Sequence, residues 1–547
     1  MPRGSSLGMM TGIEELVPRI YRARVVHTQH GPPVEAIAVQ GERVLATGTL
    51  RELRDRFPEA EVTDFGTATI VPGFNDAHIH LAMSAEDQLH LDLSHDAVRD
   101  MTGLLERVRA EAARIGPGAW VRGSRFDDVK TGKLDRAALD AVTGNVPALV
   151  THVAAHWAVA NSAALQALGY HEDSTPPAGG ELGRDAAGRL DGRLVERALM
   201  QVAMPAAGAQ DSPIQPSTPE QRLLGLRRAV EQWHAAGLTS ICDPLVAPED
   251  IVLLQRARSE GLLTLRTGML LGIDHYAKAH EFGIRGGFGD NWLRYVGVKG
   301  FVDGAVGGRT CLLSEPFTGT GDHGLQITDT ETLREQIGMV HRDGTPMGVH
   351  ANGDTAIRLL LDIYGELAET DPRPGLRHRI EHCTLVDEPI LDRMRALDVI
   401  AVPFAGYPAY HGDALNEWYG PERTERMFAH RDFLDAGVTV AGSSDYPCGP
   451  YQPLLGMQSM VTRRGVDDGA EVGGRQRVSA AEALWIFTVG SARASDEQAY
   501  KGLLAPGYLA DFVVLDRDPL AIPGKEIAGI GVRATYVGGL PRWERYS

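Results

Sequence analysis

Short apolar runs alternate with longer amphipathic ones through the middle of this chain, and a rhythm sustained over roughly 400 residues restricts the fold to repeated βα units. TIVPGF, LTSICD, LTLRTGML, RYVGVKGFVDG, TPMGVHA, RHRIEHC, DVIAVPF and VTVAGSSD read as strands. PEQRLLGLRRAVEQWHAAG and DTAIRLLLDIYGELAET, apolar at helical spacing, read as helices between them. The fold class expected is α/β: a (β/α)8 TIM barrel over residues 71–495, with its chemistry where the strands end.

The two ends break the rhythm. ARVVHT, EAIAVQGERVLATG and ATIVPG alternate over a few residues, with Gly41-Glu42 as a tight turn, and GLLAPGYLADFVVLDRDPL and GIGVRATYVGGLPRW echo them. Each end is too small to close a core, so residues 1–70 and 496–547 are expected to combine in a small β-sandwich. Residues 115–215 are rich in Gly, Pro and Ala, as in DSTPPAGGELGRDAAGRLDGR, yet contain WVRGSRFDD and HWAVANSAAL. Their apolar and aromatic content favours a folded insertion over the barrel mouth rather than a disordered loop.

A chain of 547 residues can hold one large domain with accessory parts. Its net charge of -18 argues against sequence-independent binding to nucleic acid or to an anionic membrane, which needs basic patches. Cys242, Cys311, Cys383 and Cys448 are scattered, which suits a reducing cytoplasm. MPRGSSLGMMTGIEEL lacks the apolar core of a signal peptide, and no later run is long enough to span a bilayer. A cytoplasmic protein with a small-molecule substrate is expected.

In VPGFNDAHIHL, residues 71–81, His78 and His80 stand two apart, so an extended backbone turns both to one face. Alone such a pair is as readily structural as metal-binding. Lys299, His350, His382 and Asp445 then follow in order, each at the end of a strand that a barrel would open towards its site. Each has an ordinary alternative: Lys299 paired with Asp303, the two histidines satisfied in the core, Asp445 capping a helix after Pro447. That all are ordinary at one rim is the weaker reading. Nitrogen and oxygen ligands without thiolate suit zinc and tolerate manganese, cobalt or iron. Cys383 is expected to face away from His382 into the core.

The HxH after PGF, the lysine in a KxxxDG context, the two later histidines and the closing SSD resemble the amidohydrolase superfamily. The branch they resemble most includes N-substituted formamide deformylases and YtcJ-like proteins. The resemblance covers nearly the whole chain, through WVRGSRFDD, HWAVANSAAL, DGAVGGRT, HANGD, RIEH and SSDYP. It implies two divalent ions, most often Zn2+, with His78, His80 and Asp445 on one, His350 and His382 on the other, and Lys299, carboxylated by CO2, bridging both. It also implies that His156 and Asn161 face substrate, although Ala155 stands where the family usually has Gly. VIAVPFAGYPAYHG departs from the family's Gln-Pro-x-His ending: Phe404, Tyr407 and Tyr410 would give an aromatic wall and His411 would replace the missing histidine, unless they are ordinary loop packing. Asp303 and Arg309 follow the strand of Lys299 and either reach substrate or pair with each other.

Two ions sharing a water bring its pKa towards neutrality and leave hydroxide to attack a carbonyl. Asp445 is the candidate carrier of a proton from that water to the leaving nitrogen. The function expected is metal-dependent hydrolysis of a non-peptide C–N bond, possible for an N-substituted formamide among other amides. Hydrolysis of a cyclic amide, carbamate or ester, or deamination, would use the same centre. A catalytically idle binding or regulatory barrel is the alternative of another class. A nucleic-acid deaminase is disfavoured by the acidity and the lack of an HxE and PCxxC pair. Homodimerisation is expected by analogy with large barrels alone.

Overall fold

The computed structural model describes residues 17–95, 97–116, 118–203 and 212–545, so MPRGSSLGMMTGIEEL lies outside the described residues. A seven-stranded, all-parallel sheet forms the centre, in the order Phe74–Asp76, Leu238–Val246, Arg266–Gly272, Leu293–Phe301, Met347–Ala351, Arg379–His382 and Ile400–Val402. Every residue of Arg266–Gly272, Met347–Ala351 and Arg379–His382 is buried, as a strand covered on both faces requires. The sequence supplies the covering helices. Pro219–Ala235 opens on a capping box from Thr218 to Gln221 with Pro219 in its first turn, and it buries Leu223, Leu226, Val230 and Trp233. Asp354–Thr370 buries Ile357, Leu360, Leu361 and Tyr364, the stripe that its periodicity predicts.

VTVAGSSD makes no continuous ladder. Val440 bridges Ala401 and Ser443 bridges Phe404, both parallel, and on the other side Ala77 N–H donates to Gly442 O at 2.9 Å while Asp445 N–H donates to His78 O at 2.8 Å. The segment thus touches both the first and the last strand of the sheet. Gly442 is required at this point, because a Cβ there would collide with the Phe487 ring. No helix capping by Asp445 is seen: the next helix begins at Pro453, after Gln452.

The chain ends share one eight-stranded sheet. Thr69–Pro72 lies between Arg19–Val26, to which it is parallel, and Phe512–Leu515, to which it is antiparallel from Thr69↔Leu515 to Pro72↔Phe512. Gly41 and Glu42 form the two-residue turn between Val34–Gln40 and Arg43–Gly48, with Gly41 at φ 54°. Alternation sends Tyr21, Phe512 and Tyr536 into one apolar cluster and Ile20, Ala36 and Leu53 into another. Arg266, almost fully buried, ties this sheet to the parallel one through Asp511 at 2.7 Å.

A third sheet, of six strands, runs Gly180–Arg184, Leu190–Glu196, Trp157–Ala160, Ala148–His152, Val121–Phe126, Leu91–Asp92. It therefore begins at Leu91, ahead of the range 115–215 expected for the insertion. The Gly- and Ala-rich stretch contains a hairpin, in which Asp185 Oδ1 accepts from Ala187 N–H and Arg189 N–H to hold its turn. Leu104, Val108, Phe126, Leu139 and Val150 give this sheet a core of its own with the helices Met101–Arg114 and Arg136–Thr143. Residues 204–211 of the range lie outside the described residues. Among the described residues no helix is long and apolar enough to cross a membrane.

Candidate metal centre

The strand Phe74–Asp76 ends just before His78, and the backbone bends at Ala77 and His78 before reaching His80, the extended residue ahead of the helix Leu81–Asp87. Asp445 is laced to it: His80 N–H donates to Tyr446 O at 3.0 Å, and Asp445 N–H to His78 O. As a result the Nε2 atoms of His78 and His80 each lie 3.2 Å from Asp445 Oδ1. The opposite ring nitrogens are held by the protein, Nδ1 of His78 against Glu381 Oε2 at 2.5 Å and Nδ1 of His80 against Pro244 O at 3.2 Å.

From the other side His382 brings its ring centroid to 4.7 Å from that of His78 and 4.5 Å from that of His350. His78 Nε2 and His382 Nδ1 are buried without a hydrogen-bond partner. Ligand atoms of His78, His382 and Asp445 lie within 4.8 Å of one another. Orphaned imidazole nitrogens facing a carboxylate are costly unless something binds them, and this nitrogen and oxygen set fits a divalent ion. His350 Nε2 is 2.9 Å from both Gly304 O and Asn352 Nδ2, so its other nitrogen is the one left for a ligand. Lys299, 1% exposed, stands opposite Gly272 and Gly348 in the ladder with Nζ 4.8 Å from the Phe301 ring centroid. Gly348 is needed there because a Cβ would collide with Glu381 Oε1.

The electrostatics agree with ligation. Burial, reinforced by neighbouring cations, holds the His350 and His382 rings far below the usual imidazole range, and a neutral ring is the form that binds metal. Burial alone would raise the pKa of Asp445, but His382, His78 and His80 hold it well below the carboxylate range. Burial lowers Lys299 to about 8 against the opposing pull of Glu381 and Asp445.

Glu381 and Arg379 were not singled out in the sequence. Arg379 donates to both oxygens of Glu381, at 2.7 and 2.8 Å, and to Ala77 O at 2.7 Å, all in the interior. The pair fixes the proton of His78 on Nδ1 and turns Nε2 inward, the arrangement that strengthens a histidine ligand. We expect Glu381→Gln to weaken metal binding about 10- to 100-fold, read by competition with a chromophoric chelator. Unchanged affinity would remove the orienting role.

The remaining expected residues separate. His156 stands near the centre, its ring centroid 6.0 Å from that of His350, with Nδ1 held by Glu196 at 2.9 Å. Burial disfavours its charge, but the Glu196 carboxylate outweighs that and raises its pKa. Asn161 is fully engaged in structure: Oδ1 accepts from Ala148 and Ala164 N–H, and Nδ2 donates to Thr143 Oγ1 and Val146 O. This corrects the expectation that it contacts substrate. Asp303 is corrected likewise: its oxygens accept from the N–H groups of Leu312, Asn352 and Gly353, pinning the loop of Arg309 to the strand end of His350. Arg309 is exposed with its guanidinium 5.8 Å from the Trp418 ring centroid, and forms no salt bridge with Asp303.

Phe404 stacks on His382 at 4.3 Å and Tyr407 stacks on Phe404 at 3.8 Å, so the aromatic wall backs the centre. Tyr410 is turned to the six-stranded sheet, where it donates to Asp127 at 2.8 Å, and His411 packs between Tyr407 and Trp418. Cys383 places Sγ against Met394. A cavity of about 500 Å³ opens at His80 between the parallel sheet, at Asp243 and Pro447, and the six-stranded sheet, at Arg125 and Val153.

Among the non-glycine residues with positive φ, Arg125, Ala155 and Leu245 line this cavity and His382 and Asp445 belong to the candidate ligand set, at φ 54° to 71°. Each such residue costs about 1–3 kcal/mol, and they persist where the surroundings dictate the direction of a functional side chain.

The sequence model described as "Amidohydrolase family" matches residues 61–541. The chain is 31% identical over 533 residues to the N-substituted formamide deformylase of Arthrobacter pascens, covering 93% of this chain and 95% of that one. It is 27% identical to the YtcJ protein of Bacillus subtilis (strain 168), covering 94% and 97%. Its backbone is similar to the crystal structure of an uncharacterized metal-dependent hydrolase from Pyrococcus horikoshii OT3, with TM-score 0.75, 24% identity, and coverage of 93% and 99%.

Proposed function

The chain belongs to the amidohydrolase family, a family of metal-dependent hydrolases acting on carbon–nitrogen bonds, and on that premise we propose that it cleaves a non-peptide amide, with N-substituted formamides as the first candidates. What carries the reading is the approach of two imidazole Nε2 atoms to one oxygen of Asp445, beside the unpartnered Nδ1 of His382. His78, His80 and Asp445 would hold one divalent ion and His350 and His382 a second, with zinc favoured by the donor set. Bound there, the ions would supply Lewis acidity towards a carbonyl oxygen and lower the pKa of a water.

The side chains supply the rest. Asp445 takes the proton of the attacking water and returns it to the departing nitrogen, which an amide needs because an unprotonated amine leaves poorly. Lys299 as an ammonium repels a cation. Its neutral amine forms an N–C bond to CO2 and releases a proton, and the resulting carbamate has two oxygens for a bridge. His156, oriented by Glu196, donates to the substrate carbonyl from its free nitrogen. Phe404 and Tyr407 keep water off the flank of His382 and favour an apolar or aryl substituent. We read the parallel strands, with the 438–445 segment as the eighth, as a closed (β/α)8 barrel over residues 71–495, with residues 1–70 and 496–547 forming a sandwich-like unit beside it.

The test is a panel of N-benzyl and N-aryl formamides, acetamides, lactams, carbamates and esters, given to protein before and after chelation and after return of Zn2+, Mn2+ or Co2+. Acyclic amide turnover should vanish on chelation and return with metal. Cleavage confined to lactams, carbamates or esters, or amide turnover that resists chelation, would overturn the proposal.

A further inference from the structure

The cavity beside His80 has about 500 Å³, the size of a small-molecule site. One wall is the strand Val121–Phe126, in which Arg122 and Ser124 share a face by alternation, and both line the cavity. Neither is satisfied by the protein. The Arg122 guanidinium forms no hydrogen bond, ion pair or ring contact among the described residues, and the Glu86 and Asp87 carboxylates act on it only through space. The Ser124 hydroxyl, 2% exposed, has no hydrogen-bond partner.

Their neighbours are engaged. Arg125 meets Asp92 at 2.6 Å and donates to Tyr446 Oη at 3.0 Å. Arg222 meets Glu86 at 2.9 Å and Asp250 at 2.5 Å, and Glu86 also accepts from Ser217. Asp87 lies 3.6 Å from His90. The uncommitted polar groups on this strand face are thus a cation and a hydroxyl donor, while Met83, Leu199 and Ile214 add apolar surface to the same cavity. A planar guanidinium offers paired donors that match a carboxylate, and leaving it unpaired in a cleft is costly.

We propose that Arg122 and Ser124 anchor a carboxylate of the substrate, so that the amide cleaved at the metal centre carries an acidic group on an apolar body. This deepens the amide-hydrolase reading and rests on it. Matched compounds differing only in the carboxylate test it on the metal-replete full chain. N-formylphenylalanine is set against N-formylphenethylamine for an acid on the amine side, and N-benzylsuccinamic acid against N-benzylbutyramide for one on the acyl side.

In at least one pair kcat/KM favours the acid by about tenfold or more. Arg122→Gln brings that ratio close to one, chiefly through KM, and Arg122→Lys keeps part of it. No preference in either pair, or one that survives Arg122→Gln, overturns the anchor. If no amide is cleaved, the amide reading has failed by itself, and calorimetric binding of the two acids decides the anchor. A Kd weakened about tenfold or more by Arg122→Gln upholds it, and absent or unaltered binding overturns it.

Discussion

Asp445→Asn keeps most of the metal and lowers kcat by about a thousandfold, within the range of general acid–base catalysis. The two effects separate because the amide oxygen of Asn still donates a lone pair where Oδ1 now faces His78 and His80, whereas it cannot take a proton. Folding is not the weak point. Asp445 sits at φ 54°, a conformation that Asn tolerates better than most residues, and its N–H bond to His78 O is a backbone bond that the substitution leaves alone. Metal analysis beside steady-state kinetics reads both quantities on one preparation. A variant with full metal and near-normal kcat would remove Asp445 from the proton path.

Lys299→Ala should lose at least about a thousandfold in turnover together with part of the metal, since charge and ligand leave at once. The site explains the severity. Lys299 is buried beside Glu381 and Asp445 with a pKa lowered to about 8, and no carboxylate forms a salt bridge with it among the described residues. The space left by its side chain admits a small acid, so formate, acetate or propionate should restore part of the activity and of the second ion. Full metal content in the Ala variant with no rescue would argue that the lysine is not a bridge. The carbamate also has a direct signature, a ¹³C resonance from protein reconstituted under labelled CO2.

The grouping of His78, His80, His382 and Asp445 was legible because each closes an apolar run of the sequence, and the ends of such runs are visible in one dimension. Residues whose role depends on a partner across the fold were not. Asn161 and Asp303 had the right chemistry for substrate, but their carbonyl or carboxylate oxygens meet backbone N–H groups that only tertiary structure brings near. Glu381 carried a fainter signal: Arg379 and Glu381, two apart in a buried strand, face the same way, and two opposite charges on one buried face must pair. Glu196 gave none, since its link to His156 spans a hairpin in a Gly-rich stretch. The edge strand of the six-stranded sheet was hidden for another reason. Leu91–Asp92 is a two-residue strand, too short for any periodicity.

The eight-stranded sheet has a consequence for the order in which this protein can be finished. Tyr21 Oη donates to Gly539 O across 518 residues of chain, and Thr69–Pro72, which leads directly to His78, has Phe512–Leu515 as a neighbour. During synthesis His78 and His80 leave the ribosome well before the strand that braces Thr69–Pro72 is made. Contacts of such long sequence separation form late, because loop closure must precede any gain. Assembly of the centre therefore waits for Phe512–Leu515, and a shorter nascent chain carries its histidines without the brace that sets them in place.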